Sequence, residues 1–209
     1  MKQFILIASA LILAVNSLMA QTYKRDTSTL NIFTINDTLK YFEFYTPGYF
    51  HGNVETGFLV KKGKNMYSLQ ANGSSAAPFE LLFQESSLNV KKLSTEGYMA
   101  YGLLNENPFP KISDSTNQIV SQFHLNYPIF YKAKNKALMR IYEYPAFESK
   151  TKKVSFNKGS KIEERWESGF YKKYYHPIKD KTWIAAVCGS KFIGWLLLSD
   201  VDSIFEKIK

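Results

Sequence analysis

Nine residues from Gly169 to Pro177 concentrate side chains suited to holding a ligand. Phe170, Tyr171, Tyr174 and Tyr175 supply aromatic rings, Lys172 and Lys173 ammonium groups, and His176 an imidazole. A tyrosine ring offers a flat apolar face with a polar rim, which suits sugar rings, peptides and bases, and adjacent lysines favour an anionic ligand. Trp183 and Trp195 are two further candidate platforms. The candidate ligand-binding set is therefore Tyr171, Lys172, Lys173, Tyr174, Tyr175, His176, Trp183 and Trp195. A second reading stays open at each position. Phe170 and Tyr174 can alternate into a core while the others decorate a long hairpin, and tryptophan is a type more often buried than displayed.

Residues that could do covalent or acid–base chemistry are sparse. The single cysteine, Cys188, can form neither an internal disulfide nor a cysteine-based zinc site, and as a nucleophile it needs a histidine to lower its pKa. His176 is the nearest in sequence, but Cys188 closes a strand entering a turn rather than opening a helix, so a structural role is expected. Glu163 and Glu164 are neighbours on a predicted strand and point to opposite faces, which is poor geometry for paired acid–base work. Asp200 and Asp202 are expected to cap a short helix or turn over Val201 to Ile208. His51, His124 and His176 show no ligand spacing, and neither a glycine-rich phosphate loop nor a Gly-x-Ser-x-Gly elbow occurs. The expectation is no catalytic site, no metal and no cofactor.

Two broader features bound the function. Met1 to Ala20 reads as a secretory signal peptide: Lys2 supplies the positive start, Phe4 to Val15 the apolar run, and Ala20 a small residue before Gln21. The chain is then expected outside the cytoplasm, periplasmic or extracellular, with no further membrane contact once the leader is removed. Charge is unevenly placed. Residues 21–125 carry nine basic and nine acidic side chains, whereas 126–209 carry 17 basic and nine acidic, a net of +8. Such a region attracts anionic partners, or keeps strand edges soluble. Basic residues interleaved with aromatics also describe single-strand nucleic-acid binders, a partner that export excludes.

The elements that must position these residues read as strands. Thr182 to Val187 and Phe192 to Val201 flank Cys188-Gly189-Ser190-Lys191, the pattern of a β-hairpin. Upstream, Gln21 to Asn31 reads as a loose polar lead-in, and Leu39 to Tyr45 as a strand ending at Thr46-Pro47-Gly48. Val54 to Lys61 and Met66 to Gln70 form a predicted hairpin around Lys62 to Asn65, and Phe79 to Phe83 pairs with Leu88 to Leu93. Gly97 to Leu104 fits either a strand or a short helix. Pro108 and Pro110, bracketing Phe109, mark a break, with a short helix expected from Ser113-Asp114-Ser115 to Phe123.

From Leu138 the order of motifs carries a resemblance. An apolar strand ends at Tyr142 before Pro145; Lys153 to Phe156 follows, then Lys158-Gly159-Ser160, the strand Lys161 to Arg165, an insert from Trp166 to Lys181, a Trp-led strand at Trp183 and a Gly-Trp pair at Gly194-Trp195. This order resembles the bacterial SH3-like (SH3b) domain over about 70 residues, with an insert longer than the tight turn usual there. The resemblance implies a small barrel that recognises a cell-wall peptide or glycan. The upstream meander, Gly57 to Val60, Met66 to Leu69, Phe79 to Phe83 and Leu88 to Val90, is loosely similar to periplasmic lysozyme-inhibitor-type domains.

The expected organisation is mainly β. A signal peptide over 1–20 precedes a small antiparallel sheet or barrel over 21–105; a linker over 106–136 leads to an SH3-like barrel over 137–209 with a short C-terminal helical turn. The expected function is that of an exported, non-catalytic binding protein whose partner is a cell-wall component or an envelope protein, of anionic character. The alternative is an inhibitor acting on a lysozyme-like enzyme through the N-terminal domain.

Overall fold

In a computed structural model, residues 20–47, 53–69, 79–92, 108–114, 118–119, 129–168 and 183–208 are described. Fifteen strands and one short helix make the described chain mainly β, with an N-terminal antiparallel barrel, as the sequence predicts. Strands β1 (Ala20–Arg25), β2 (Ser28–Thr34), β3 (Leu39–Thr46), β4 (Asn53–Gly63), β5 (Met66–Leu69), β6 (Phe79–Phe83), β7 (Ser87–Lys92) and β8 (Phe109–Ser113) follow one another around a closed barrel.

Closure through β8 and β1 corrects two expectations. The polar lead-in forms a hairpin: Thr22 stands opposite Asn31 and donates its hydroxyl to Asn31 Oδ1 at 3.0 Å, and Asp26 takes the left-handed turn conformation at φ 49°. Tyr23, Leu30 and Ile32, spaced by the strand period, enter the barrel core. The expected linker over 106–136 contributes β8 to the barrel and a strand to the second sheet. Phe109 is wholly buried opposite Leu88, and Pro110 is exposed opposite Ser87. Burying a phenylalanine stabilises by about 2 kcal/mol, more than the roughly 1 kcal/mol of one forgone ladder bond, so the prolines do not end the sheet.

Strands β2 to β4 are buried on both faces, which is why their apolar residues run on instead of alternating. Phe42, Phe44 and Leu59 point into the barrel, while Phe33, Leu39, Tyr41 and Phe58 face outward onto the second sheet. There they meet Tyr142, Tyr144, Trp183, Trp195 and Leu197 in one aromatic layer. Phe33 and Tyr41 lie 5.2 and 5.8 Å from the Tyr144 ring, and Tyr41 is edge-on to Trp195 at 6.0 Å. The N- and C-terminal parts therefore share a core.

The second sheet contains β9 (Ile129–Ala133), β10 (Ala137–Tyr142), β11 (Thr151–Phe156), β12 (Lys161–Ser168), β13 (Trp183–Cys188), β14 (Lys191–Leu197) and β15 (Phe205–Ile208), in the order β11-β10-β14-β13-β12-β9-β15. It curls, because its two edge strands meet through Phe156 and Phe205, whose rings are 5.3 Å apart. The expected hairpin is present as β13 and β14, turning at Gly189 with φ 62°. Strand β12 runs beyond Arg165 to Ser168 through a bulge, so the first residues of the expected insert extend the sheet.

Helix α1 (Leu198–Ile204) begins after Leu197 without a side-chain cap, and Asp200 lies in its first turn, where a carboxylate complements the dipole. The helix expected to reach Ile208 ends at Ile204, because Phe205 turns into the core and β15 pairs with β9. The possible strand or helix at Gly97 to Leu104 lies outside the described residues, as does most of the short helix expected near Phe123.

Candidate functional site

The sheet is least continuous between β10 and β14, which share one register pair, Tyr142 with Trp195. Beside that pair Gly194 adopts φ +122°, and a Cβ there would meet the Tyr142 carbonyl oxygen at 2.6 Å. Two strands approach this closely only because glycine carries no side chain. A groove of about 380 Å³ opens at this seam, lined by Gln118, Ile141, Tyr142, Glu143, Lys150, Thr151, Lys152, Phe192, Ile193 and Gly194.

Hydrogen bonds hold one wall. Gln118 Nε2 donates to the Glu143 carbonyl at 2.7 Å, and Gln118 Oε1 accepts from Trp195 Nε1 at 2.8 Å. The adjacent Ile119 amide donates to the carboxylate of Glu43, a barrel residue with 0% exposure, which also accepts from the Tyr41 hydroxyl at 3.1 Å. The barrel's outer face thus anchors the segment that lines the groove. Burial and the nearby Glu143 carboxylate push the Tyr144 hydroxyl well above the usual tyrosine range, so it stays a donor to Glu143 Oε1, 3.3 Å away. Phe192 and Ile193 give the groove apolar surface, Lys150 and Lys152 positive charge, and Glu143 and Gln118 directional polar groups. Such a surface can hold and orient a mixed apolar and anionic ligand.

The structure places the sequence-predicted residues unevenly. Tyr171, Lys172, Lys173, Tyr174, Tyr175 and His176 lie outside the described residues. Trp183 and Trp195 are core residues: Trp183 packs edge-on to Tyr142 at 4.8 Å and Phe147 at 5.1 Å, and Trp195 is 0% exposed. Neither ring faces solvent, and Trp195 acts on the groove indirectly through Gln118. Glu163 and Glu164 do point apart, one pairing with Arg165 at 3.2 Å and the other, buried, accepting from the Tyr131 hydroxyl at 2.9 Å. Cys188 packs half-buried against the second sheet's core. Among the described residues no three His, Cys, Asp or Glu side chains gather as a metal site, and no helix is long and apolar enough to cross a membrane.

No family model, curated protein or solved structure matches this chain in comparison.

Sequence reasoning missed Gln118, Lys150, Lys152 and Phe192. The Gly194-Trp195 pair was the one local signal, since a glycine before a buried tryptophan marks close backbone approach.

A second polar feature lies inside the barrel's rim. Lys40 shares a strand face with Phe42 and Phe44; its Nζ donates to Thr34 Oγ1 at 2.7 Å and sits 4.9 and 5.4 Å from the Tyr67 and Phe83 ring centroids. Burial brings its pKa down to about 8, against the pull of Asp37 and with a smaller push from Lys61. The unfolded chain therefore binds more protons than the folded one from about pH 8 to about pH 10.5, and Lys40 makes stability rise with pH across that window. Lys40→Met is expected to raise the melting temperature near pH 7, with the gain shrinking as the pH approaches 10. Thermal unfolding of both proteins across that range checks it, and a gain independent of pH contradicts it.

Proposed function

We propose that this chain is an exported, non-catalytic binding protein whose second sheet is an SH3b-type module recognising a cell-wall peptide or glycan, or an envelope protein. The observation that carries the reading is the groove at the β10–β14 seam, where Lys150 and Lys152 stand beside the apolar Phe192 and Ile193. Ammonium groups next to apolar surface favour a ligand with carboxylates on a partly apolar body, as in a short acidic peptide. The net +8 of residues 126–209 adds long-range attraction for such a partner.

Export is supported by the Lys2, apolar-run and Ala20 pattern. The non-catalytic reading rests on the sequence, in which the single cysteine and the three histidines show no catalytic spacing. The chain from Ala20 onward, mixed with purified peptidoglycan and sedimented, is expected to be retained well above an unrelated basic protein of similar net charge. Retention equal to that control excludes a cell-wall ligand.

A further inference from the structure

The part of the β10–β11 ladder beyond the groove carries its own charge pattern. In the β10–β11 ladder Arg140 stands directly opposite Lys153, and both side chains are exposed. Like charges in direct cross-strand register destabilise a sheet, so an acidic neighbour is the usual remedy. No ion pair within 4 Å serves either of them among the described residues, and neither strand contains an acidic residue. Two residues before Arg140, on the same face and opposite Ser155, Leu138 is 61% exposed. At that end of the ladder Ala137 pairs with Phe156, which brings the turn bearing Lys136 next to the turn bearing Lys158. The exposed leucine thus shares its face with Arg140 and Lys153, and the exposed Lys136 and Lys158 lie in the two turns at its end of the ladder.

Departing from the expectation of no membrane contact after leader removal, we propose that this β10–β11 face docks weakly on an anionic lipid surface, with the four cations meeting headgroup phosphates and Leu138 entering the interface between headgroups and acyl chains. The cations alone fit any polyanion, but the leucine selects a bilayer. A hydrated soluble polymer gains nothing from it, whereas a lipid interface removes it from water. Lys152 of the groove points to the opposite face of β11 from Lys153, whereas the groove's Tyr142 and Thr151 lie two residues along from Arg140 and Lys153 on the same face, so the two surfaces adjoin.

The test is co-sedimentation of the chain from Ala20 onward with phosphatidylcholine vesicles, with and without about 30% phosphatidylglycerol. Binding is expected only to the anionic vesicles, weakening about tenfold between about 50 and 300 mM salt. The double variant Arg140→Glu with Lys153→Glu should fall to the neutral-vesicle level. Lys191→Glu with Lys207→Glu, which changes net charge equally at two other exposed positions, should keep most of the binding. Leu138→Asn should weaken vesicle binding about fivefold and leave the affinity for soluble polyphosphate unchanged. Equal loss in the two charge-reversal variants overturns the proposal, because bulk charge then suffices. No loss in Leu138→Asn, or polyphosphate binding as tight as vesicle binding, assigns the face to a soluble polyanion instead, and no vesicle binding at all refutes it. Circular dichroism shows that each variant is folded before it is compared.

Discussion

Gly194→Ala is expected to destabilise the chain by about 4 kcal/mol. The residue sits at φ +122°, where any side chain is strained by about 1–3 kcal/mol, and the added methyl would lie 2.6 Å from the Tyr142 carbonyl oxygen and 2.8 Å from Ile141 Cγ2. A backbone carbonyl cannot swing aside as a side-chain tip can, so β10 and β14 must separate at the one register pair they share. For a chain of this size the melting temperature should fall by about 10 °C. Gly189→Ala is the control: its φ is +62° with nothing within 4 Å, so only the conformational term applies, about 1 kcal/mol. Equal losses in the two variants would show that the close approach at the seam does not matter.

Trp195→Ala should cost about 4 kcal/mol from the lost apolar volume alone. Trp195 is a large, fully buried side chain in the layer shared by barrel and sheet. The change also leaves Gln118 Oε1 without its indole donor, adding about 1–3 kcal/mol. Because Gln118 in turn donates to the Glu143 carbonyl, the groove wall loosens along with the core. Trp195→Phe separates the two effects: most of the apolar packing stays, and the loss should drop to about 2 kcal/mol. Denaturant unfolding of the three proteins measures this. A phenylalanine variant as stable as the parent would remove Gln118 from the account.

Most strands were legible in the sequence because local chemistry marks them. Gly189 signals the β13–β14 turn, and Asn65, at φ 57°, the turn between β4 and β5. Leu39 to Tyr45 was legible as a strand, but the reason its outward residues are also apolar was not, since Tyr41 is buried by Tyr144 and Trp195 more than 100 positions away. Barrel closure was hidden for the same reason. It depends on Thr22 and Tyr23 pairing with Ser113 and Lys111, a contact no local period announces, and Pro110 argued against it.

The site was less legible than the fold. Aromatic type directed attention to Trp183 and Trp195, yet both rings are consumed by the core. The groove depends on Gln118, 77 positions before the tryptophan it holds, and on lysines that in sequence look like any solvated strand. What marks Lys150 and Lys152 is position beside a seam in the sheet, and that exists only once β10 and β14 have been brought together.

The β10–β14 groove is proposed to bind the cell-wall or envelope ligand, and retention of groove variants tests this directly. Retention on purified peptidoglycan should be compared for the parent chain, for Lys152→Glu with Phe192→Ala in the groove, and for Lys161→Glu with Lys207→Glu, two exposed lysines that do not line it. The groove variant is expected to lose at least about tenfold in affinity, because a charge contact and an apolar contact go together, while the other variant changes little. Unchanged retention by a folded groove variant would contradict the claim.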